Sequence, residues 1–71
     1  MMFEYTINCL RVYGFKKIVY LDENKMNFKY KRKELIIQGR NLRAINLLDK
    51  SLDVKGVVEN IAIRYLGVVD D

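Results

Sequence analysis

The chain contains no histidine, no tryptophan and no proline, and it has a single cysteine and a single serine. One cysteine cannot form an internal disulfide, and without histidine it cannot complete a zinc site. The serine, Ser51, has no imidazole in the chain to activate it as a nucleophile. Cys9 stands in an apolar context that is typical of a buried structural thiol. These absences exclude most common nucleophilic and zinc-dependent chemistries.

Glycine is also scarce, and no two of the four glycines are closer than 11 residues. This spacing excludes the glycine-rich loops that bind phosphates. The acidic residues are scattered, and we interpret them as solvated turn formers rather than general acids or bases. We therefore predict a non-enzymatic protein with no catalytic residue, no cofactor and no metal site. The carboxylates considered are Asp22, Glu23, Glu34, Asp49, Asp53 and Glu59.

With 71 residues, the chain predicts a single domain over residues 1–71 whose core is small for its surface. Oligomerisation, for example as a homodimer, is the stabilising device that the composition leaves open. The lone cysteine fits a reducing cytoplasm. The N-terminus has no basic segment typical of a signal peptide, and no apolar run approaches the ~18 residues that cross a bilayer. We expect no transmembrane segment.

Apolar and polar residues alternate with a period of two, which indicates strands. In residues 25–31 the alternation places Met26, Phe28 and Tyr30 on one face and three lysines and Asn27 on the other. Similar alternations place residues 52 and 54, and 61, 63 and 65, on inner faces, with Asp53 facing outward. The parity of the apolar positions shifts near residues 8 and 9, which predicts a bulge or bend there.

Turn-forming residues recur along the chain, at 22–24, 31–34 and 49–51. This spacing predicts an all-β fold, a small β-sandwich of immunoglobulin-like or related type with about six short strands. For residues 41–48 the pattern allows two conformations, a bulged extended segment or one helical turn. The predicted core is Phe3, Ile7, Leu10, Val12, Ile18, Met26, Phe28, Leu35, Ile37, Leu42, Leu52, Val54, Val58, Ile61, Ile63 and Tyr65.

Three apolar segments, beginning at residues 10, 35 and 52, each end in a glycine. A glycine at a strand end supplies a positive φ or allows close approach of another backbone. Gly14, Gly39 and Gly56 are therefore predicted corners of the chain. The unequal spacing of the three segments argues against a solenoid, which requires a fixed period.

Thirteen basic and nine acidic residues give a net charge of +4, which permits an anionic partner without requiring one. Basic residues on one strand could follow a phosphate backbone, and Tyr13, Tyr20 and Tyr30 could stack on bases if exposed. We favour the simpler interpretation that the charges protect a strand edge from aggregation. Nucleic acid is thus not the expected partner. The candidate patch is Lys29, Lys31, Arg32, Lys33, Arg40 and Arg43.

A longer pattern begins at residue 35, where the chain has the sequence LIIQGRNLRAINLLDKSLDVKGVVENIAIRYLG. It contains Gly39-x-x-Leu42, then Asn46-Leu47, then Val54-x-Gly56-x-Val58, and finally Ile63-x-Tyr65-Leu66. Together with the glycine-ended segment at residues 10–14, this pattern resembles the YabP/YqfC family of sporulation proteins from endospore-forming bacteria. The resemblance covers residues 8–67. The chain departs from the family pattern at residues 31–34, where a charged turn replaces a small residue.

The resemblance implies a β-sandwich module without catalytic activity. Such a module would act in the mother-cell cytoplasm, at the forespore surface or in assembly of the spore coat, through contacts with other sporulation proteins. The family has no established binding residues, so none is carried over to this chain.

A second resemblance concerns residues 35–45, which are similar to the second motif of Sm-like RNA-binding proteins. Asp22 and Met26-Asn27 resemble that family's upstream element, although the spacing is one residue too long and Gln38 replaces an arginine. This alternative implies a small β-barrel in a ring oligomer. Asn27, Arg40 and Asn41 would then lie near an RNA pocket.

Overall fold

A computed structural model describes residues 2–6 and 9–67, and all regular elements within them are strands. The prediction of an all-β fold with about six strands is confirmed. The strands are β1 (Phe3–Tyr5), β2 (Leu10–Tyr13), β3 (Lys17–Leu21), β4 (Lys25–Lys29), β5 (Lys33–Leu48) and β6 (Ser51–Tyr65).

The six strands form one antiparallel sheet in the order β1-β2-β6-β5-β4-β3. Its centre is a hairpin of two long strands, with 16 residues in β5 and 15 in β6. The prediction of short strands is wrong for these two, because each continues through positions that the glycines and polar residues suggested as breaks. The arrangement as a two-sheet sandwich stays a prediction.

The central hairpin changes direction near its middle. The pairing of β5 with β6 shifts register between Gln38 and Gly39 and again between Arg40 and Arg43. Bulges of this kind bend a strand and increase its twist. A Cβ atom added to Gly39 would overlap the carbonyl of Val57. The predicted close approach of backbones at Gly39 is therefore confirmed, although this glycine lies inside a strand rather than at its end.

Gly56 stands opposite this bend in β6 with a φ of 117°. A Cβ there would meet the main chain of Asn41, which itself has a φ of 54°. Gly14, at the end of β2, has a φ of 77°. The left-handed backbone predicted for glycine corners is thus present at two of the three positions.

The core draws side chains from both ends of the strand order. Leu10 and Val12 of β2 are fully buried, as are Phe28 of β4 and Leu35 of β5. The sheet therefore curves around a shared interior. The buried apolar residues are Leu10, Val12, Phe15, Met26, Phe28, Tyr30, Leu35, Ile37, Leu42, Leu52 and Val54.

The core prediction is wrong for two residues, because Ile63 is 43% and Tyr65 76% exposed. Both lie near the end of β6, beyond the residues of this strand that pair with β2. Phe15 was not predicted and packs against Phe28, with ring centroids 5.2 Å apart. Ile7 lies outside the described residues. Four further predicted core residues are partly buried against the cluster: Phe3, Ile18, Val58 and Ile61.

The predicted turns at residues 22–24 and 49–51 are confirmed as hairpin connections, although Ser51 already belongs to β6. Asp22 stabilises the first turn, because its Oδ1 accepts hydrogen bonds from the backbone N–H groups of Asn24 and Lys25. The third predicted turn is shorter than expected, and Glu34 belongs to β5. Residues 41–48 are extended with bulges, which was one of the two alternatives.

The parity shift near residues 8 and 9 coincides with a chain reversal. Tyr5 of β1 pairs with Leu10 of β2, and the N–H of Thr6 donates to the carbonyl of Cys9 at 2.8 Å. The predicted bulge or bend thus falls between two antiparallel strands. Asn8 itself lies outside the described residues.

Candidate interaction surface

Asp53 is the first of two carboxylates that the sequence placed in solvent and the structure buries. It is 3% exposed and accepts hydrogen bonds from Arg11 Nε at 2.9 Å and Asn46 Nδ2 at 2.8 Å. The hydrogen bond from Arg11, followed by that from Asn46, holds the pKa of Asp53 below its usual range. The cluster thereby links β2, β5 and β6 on the outer face of the sheet.

Glu34 is the second such carboxylate, and it is 5% exposed. Its carboxylate accepts hydrogen bonds from Asn27 Nδ2 at 2.8 Å and from Arg64. Burial opposes ionisation of Glu34, but the hydrogen bonds from Asn27 and Arg64 outweigh it and lower the pKa. Asn27 was predicted on a cationic outer face; it bonds Glu34 on that side of β4, but the cluster covers it and leaves it only 9% exposed. The cluster links β4, β5 and β6.

Both clusters are saturated by their own hydrogen bonds, which is typical of structural rather than catalytic carboxylates. Asn27 Oδ1 is the exception, since it is buried without a partner among the described residues. The sequence contained one usable indication of these clusters. Asp53 and Glu34 both stand within strand-like alternation, where a polar residue on the outer face can be covered by long neighbouring side chains.

The basic residues predicted as a patch lie in two separate groups. Arg40 lies seven positions along β5 from Lys33, which corresponds to about 23 Å of extended chain. Arg40 also donates to Glu59 at 2.8 Å, which offsets part of its charge. The structure therefore does not bring the six residues together. The group at the β4–β5 turn is Lys29, Lys31, Arg32 and Lys33, and the group at the bend is Arg40 and Arg43.

The three tyrosines considered for base stacking have different environments. Tyr30 is buried, Tyr13 is half-buried and Tyr20 is 48% exposed. The hydroxyl of Tyr20 donates to Asp22 at 2.9 Å, and Lys25 Nζ lies 6.0 Å from the centre of its ring. Only Tyr20 has an exposed ring on an outer strand. Cys9 is partly rather than fully buried.

A shallow cavity of about 490 Å³ lies at the bend of the central hairpin. Its walls combine one carboxylate and one guanidinium with main chain and two apolar side chains. Such a wide opening lacks the enclosure of typical small-molecule sites. The lining residues are Glu23, Asn41, Leu42, Arg43, Gly56 and Val57.

Exposed apolar side chains are the most prominent surface feature. Leu47 and Leu48 are 65% and 70% exposed at the tip of the β5–β6 hairpin, and Tyr65 is 76% exposed at the end of β6. Scattered exposed apolar residues are common, but groups of them mark interaction sites. The other large apolar side chains that are exposed are Tyr5, Val19, Tyr20, Leu21, Val57 and Ile63.

No group of three or more metal-ligating side chains lies together in residues 2–6 and 9–67. The same residues include no helix long and apolar enough to span a membrane. No family model, no curated protein and no solved structure matches the chain. The described residues present open strand edges and exposed apolar side chains.

Proposed function

We propose that this chain is a non-enzymatic assembly protein of endospore-forming bacteria. It acts in the mother-cell cytoplasm or at the forespore surface during assembly of the spore coat, through contacts with other sporulation proteins. The observation that carries the proposal is the set of apolar side chains exposed on strands, led by Leu47, Leu48 and Tyr65. Such side chains favour association with protein partners.

The sequence pattern supports the sporulation part of the proposal. The glycines of the resemblance occupy special positions, since Gly39 and Gly56 each lie where a Cβ would overlap main chain. Two glycines of the pattern therefore lie at the bend of the central hairpin.

The alternative of an Sm-like RNA-binding protein stays a prediction, and the geometry favours it less. Asn27 is buried and its amide donates to Glu34, which leaves this group little access to a base. Arg40 is paired with Glu59.

The test of the proposal uses a strain of an endospore-forming bacterium in which the gene encoding this chain is deleted. We expect production of the protein only during sporulation, a fluorescent fusion at the forespore surface, and spores of the deletion strain that are sensitive to lysozyme. Complementation with Leu48→Lys fails and complementation with Lys31→Gln, a change at an exposed polar residue, succeeds. Production confined to vegetative cells would rule the proposal out.

A second experiment distinguishes the proposed function from the Sm-like RNA-binding alternative. Size-exclusion chromatography with light scattering is run with and without a short uridine- or adenine-rich RNA at about 150 mM salt, where nonspecific phosphate contacts are weakened. We expect no shift with RNA. A ring of six or seven chains that shifts with RNA would replace the proposed function by the Sm-like one.

A further inference from the structure

The second half of β6 has one side without a strand partner. On its other side, residues 60–65 pair with β5 in unbroken register from Asn60 opposite Gln38 to Tyr65 opposite Lys33. The pairing of β2 with β6 ends at Leu10 opposite Val54. No described strand continues it, so backbone N–H and C=O groups along residues 60–65 point away from the sheet. This stretch is named the free β6 edge.

The other open edges of the sheet carry features that prevent pairing with a second chain. β1 has only 3 residues, and β3 is interrupted by a register shift between Ile18 and Tyr20. The open side of β5 contains Asn41 and Asn46, both with positive φ. Short length, bulges and irregular backbone are the devices by which proteins protect strand edges.

The free β6 edge lacks these devices. It contains no bulge, because the extra residue in β6 falls between Val58 and Asn60, before the edge begins. Its one charged side chain, Arg64, is bound to Glu34. A regular, weakly charged edge is the kind that pairs with another strand.

The inner face of this edge is apolar and accessible. By their register with β5, Ile61, Ile63 and Tyr65 share the face of the buried Leu35 and Ile37. Yet Ile63 is 43% and Tyr65 76% exposed. The row therefore remains in contact with water although it continues the face that forms the core.

We propose that the free β6 edge pairs antiparallel with the same edge of a second copy, about a two-fold axis at Ile63. In this register Ile63 faces Ile63 of the partner subunit, and Tyr65 faces Ile61 of the partner subunit. Arg64 faces Ala62 of the partner subunit, so like charges do not meet. A two-fold axis perpendicular to the sheet keeps both apolar rows on the same face.

Self-pairing fits this edge because the edge is complementary to itself. Aromatic and β-branched residues opposite each other are favourable cross-strand pairs, and the register supplies this pair twice. An axis at Ile63 uses only regular residues, whereas an axis at Ile61 would require the bulged Glu59. A second copy would also add buried area to a core that is small for a chain of 71 residues. The self-contact stands independently of the proposed sporulation role.

The first test measures mass by light scattering over a range of protein concentrations. We expect twice the chain mass of 8.4 kDa at high concentration. Tyr65→Lys raises the dissociation constant of the dimer about tenfold or more, and its native exposure keeps the monomer folded. Leu47→Lys, at a site 65% exposed on β5, is the matched control and stays dimeric. A wild-type chain that is monomeric at every concentration overturns the proposal.

The second test fixes the register by disulfide formation in a Cys9→Ser background. Ile63→Cys places two thiols opposite each other at the two-fold axis, within the Cβ separation that a disulfide needs after small adjustment. We expect a covalent dimer on oxidation. Tyr65→Cys places its thiol opposite Ile61 of the partner subunit and does not form a bridge. Bridging of Tyr65→Cys at the rate of Ile63→Cys would contradict the register.

Discussion

At the scale of single residues, the phenol of Tyr30 connects the turn after β4 to the first two strands. Its single hydroxyl proton is shared between the carbonyl of Tyr13, 2.8 Å from the phenol oxygen, and that of Met2, 3.0 Å away. Tyr30→Phe leaves both carbonyls without this donor, and we expect a loss of about 1–2 kcal/mol in the free energy of unfolding. Urea unfolding measures it. Tyr5→Phe, at a side chain 61% exposed, is the control and changes stability by less than about 0.5 kcal/mol.

The same phenol makes stability depend on alkaline pH. Burial, with a smaller effect of Tyr13, raises the pKa of Tyr30 to about 12 from its ordinary value of 10.0. The unfolded chain then loses this proton first, so the free energy of unfolding decreases as the pH rises from 10 towards 12. We expect Tyr30→Phe to have a shallower decrease than wild type. Equal slopes in the two proteins would contradict this role of Tyr30.

Asp53 and Glu34 make stability depend on acidic pH in the opposite direction. Hydrogen bonds lower the pKa of both groups in the folded chain. Their contribution is complete above the unfolded pKa and disappears as the pH falls through the folded one. Between about pH 5 and pH 2 the free energy of unfolding therefore decreases.

Asp53→Asn tests this contribution, because it removes the titrating group and retains an amide that can accept from Arg11. We expect a shallower loss of stability between about pH 5 and pH 2 than in wild type, measured by urea unfolding at each pH. The remaining slope reflects Glu34 and Asp22, whose pKa is also lowered, chiefly by the backbone hydrogen bond from Asn24. Asp49→Asn, at an exposed turn position, is the control that removes the same formal charge. A wild-type slope in Asp53→Asn would show that this cluster does not govern acid stability.

At position 39, steric exclusion of a Cβ atom is sufficient to require glycine. A Cβ there would overlap the carbonyl of Val57 and lie 3.1 Å from Leu42 Cδ2. We expect Gly39→Ala to cost about 3 kcal/mol or more, because backbone must move to make room. Gly67→Ala is the control, since its Cβ would meet nothing within 4 Å. It costs only the strain of a positive φ, about 1 kcal/mol. Similar losses in both variants would argue against the close approach.

At the scale of elements, the turn between β5 and β6 retains an unfavourable residue. Lys50 has a φ of 64°, a conformation that costs an L-residue about 1 kcal/mol or more. Lys50→Gly removes this strain, and we expect a gain of about 0.5 kcal/mol after the entropy cost of glycine. Thermal unfolding gives the comparison. Lys55→Gly, inside β6, is the control and destabilises by about 0.5–1 kcal/mol.

Faces and turns were predictable at this scale, but the length of strands was not. Alternation placed Met26, Phe28, Leu52 and Val54 correctly in the core. It could not show that β5 continues through Gly39, because a glycine inside a strand and a glycine at its end have the same local pattern. The distinction depends on Val57, which approaches Gly39 from another strand.

At the scale of the whole molecule, the proposed self-pairing links stability to concentration. A ligand that binds only the folded state stabilises it by mass action, and here the ligand is a second copy. We expect the thermal midpoint of wild type to rise with protein concentration. The midpoint of Tyr65→Lys is expected to rise less over the same range, because its dimer is weaker. A wild-type midpoint that does not change would contradict the coupling.

The candidate interaction surface was less predictable than the fold, because the sequence does not show which apolar faces other parts of the chain cover. The alternation of Ile61, Ile63 and Tyr65 predicted three core residues, and their common face is correct. Whether that face is covered depends on which side chains from other strands pack against it, and Ile63 and Tyr65 remain 43% and 76% exposed. A local pattern reports the direction of a side chain and says nothing about the next layer.

The sequence by itself determined the all-β class, the positions of the turns and most of the core, because these follow from side-chain periodicity and local turn chemistry. The tertiary structure alone decided three features: the bend of the central hairpin, the burial of Asp53 and Glu34, and the exposure of the free β6 edge. Each of the three depends on groups that are distant in sequence, such as Arg11 beside Asp53. Contacts of this kind arise only when the strands pair in the sheet, which places Arg11 directly opposite Asp53.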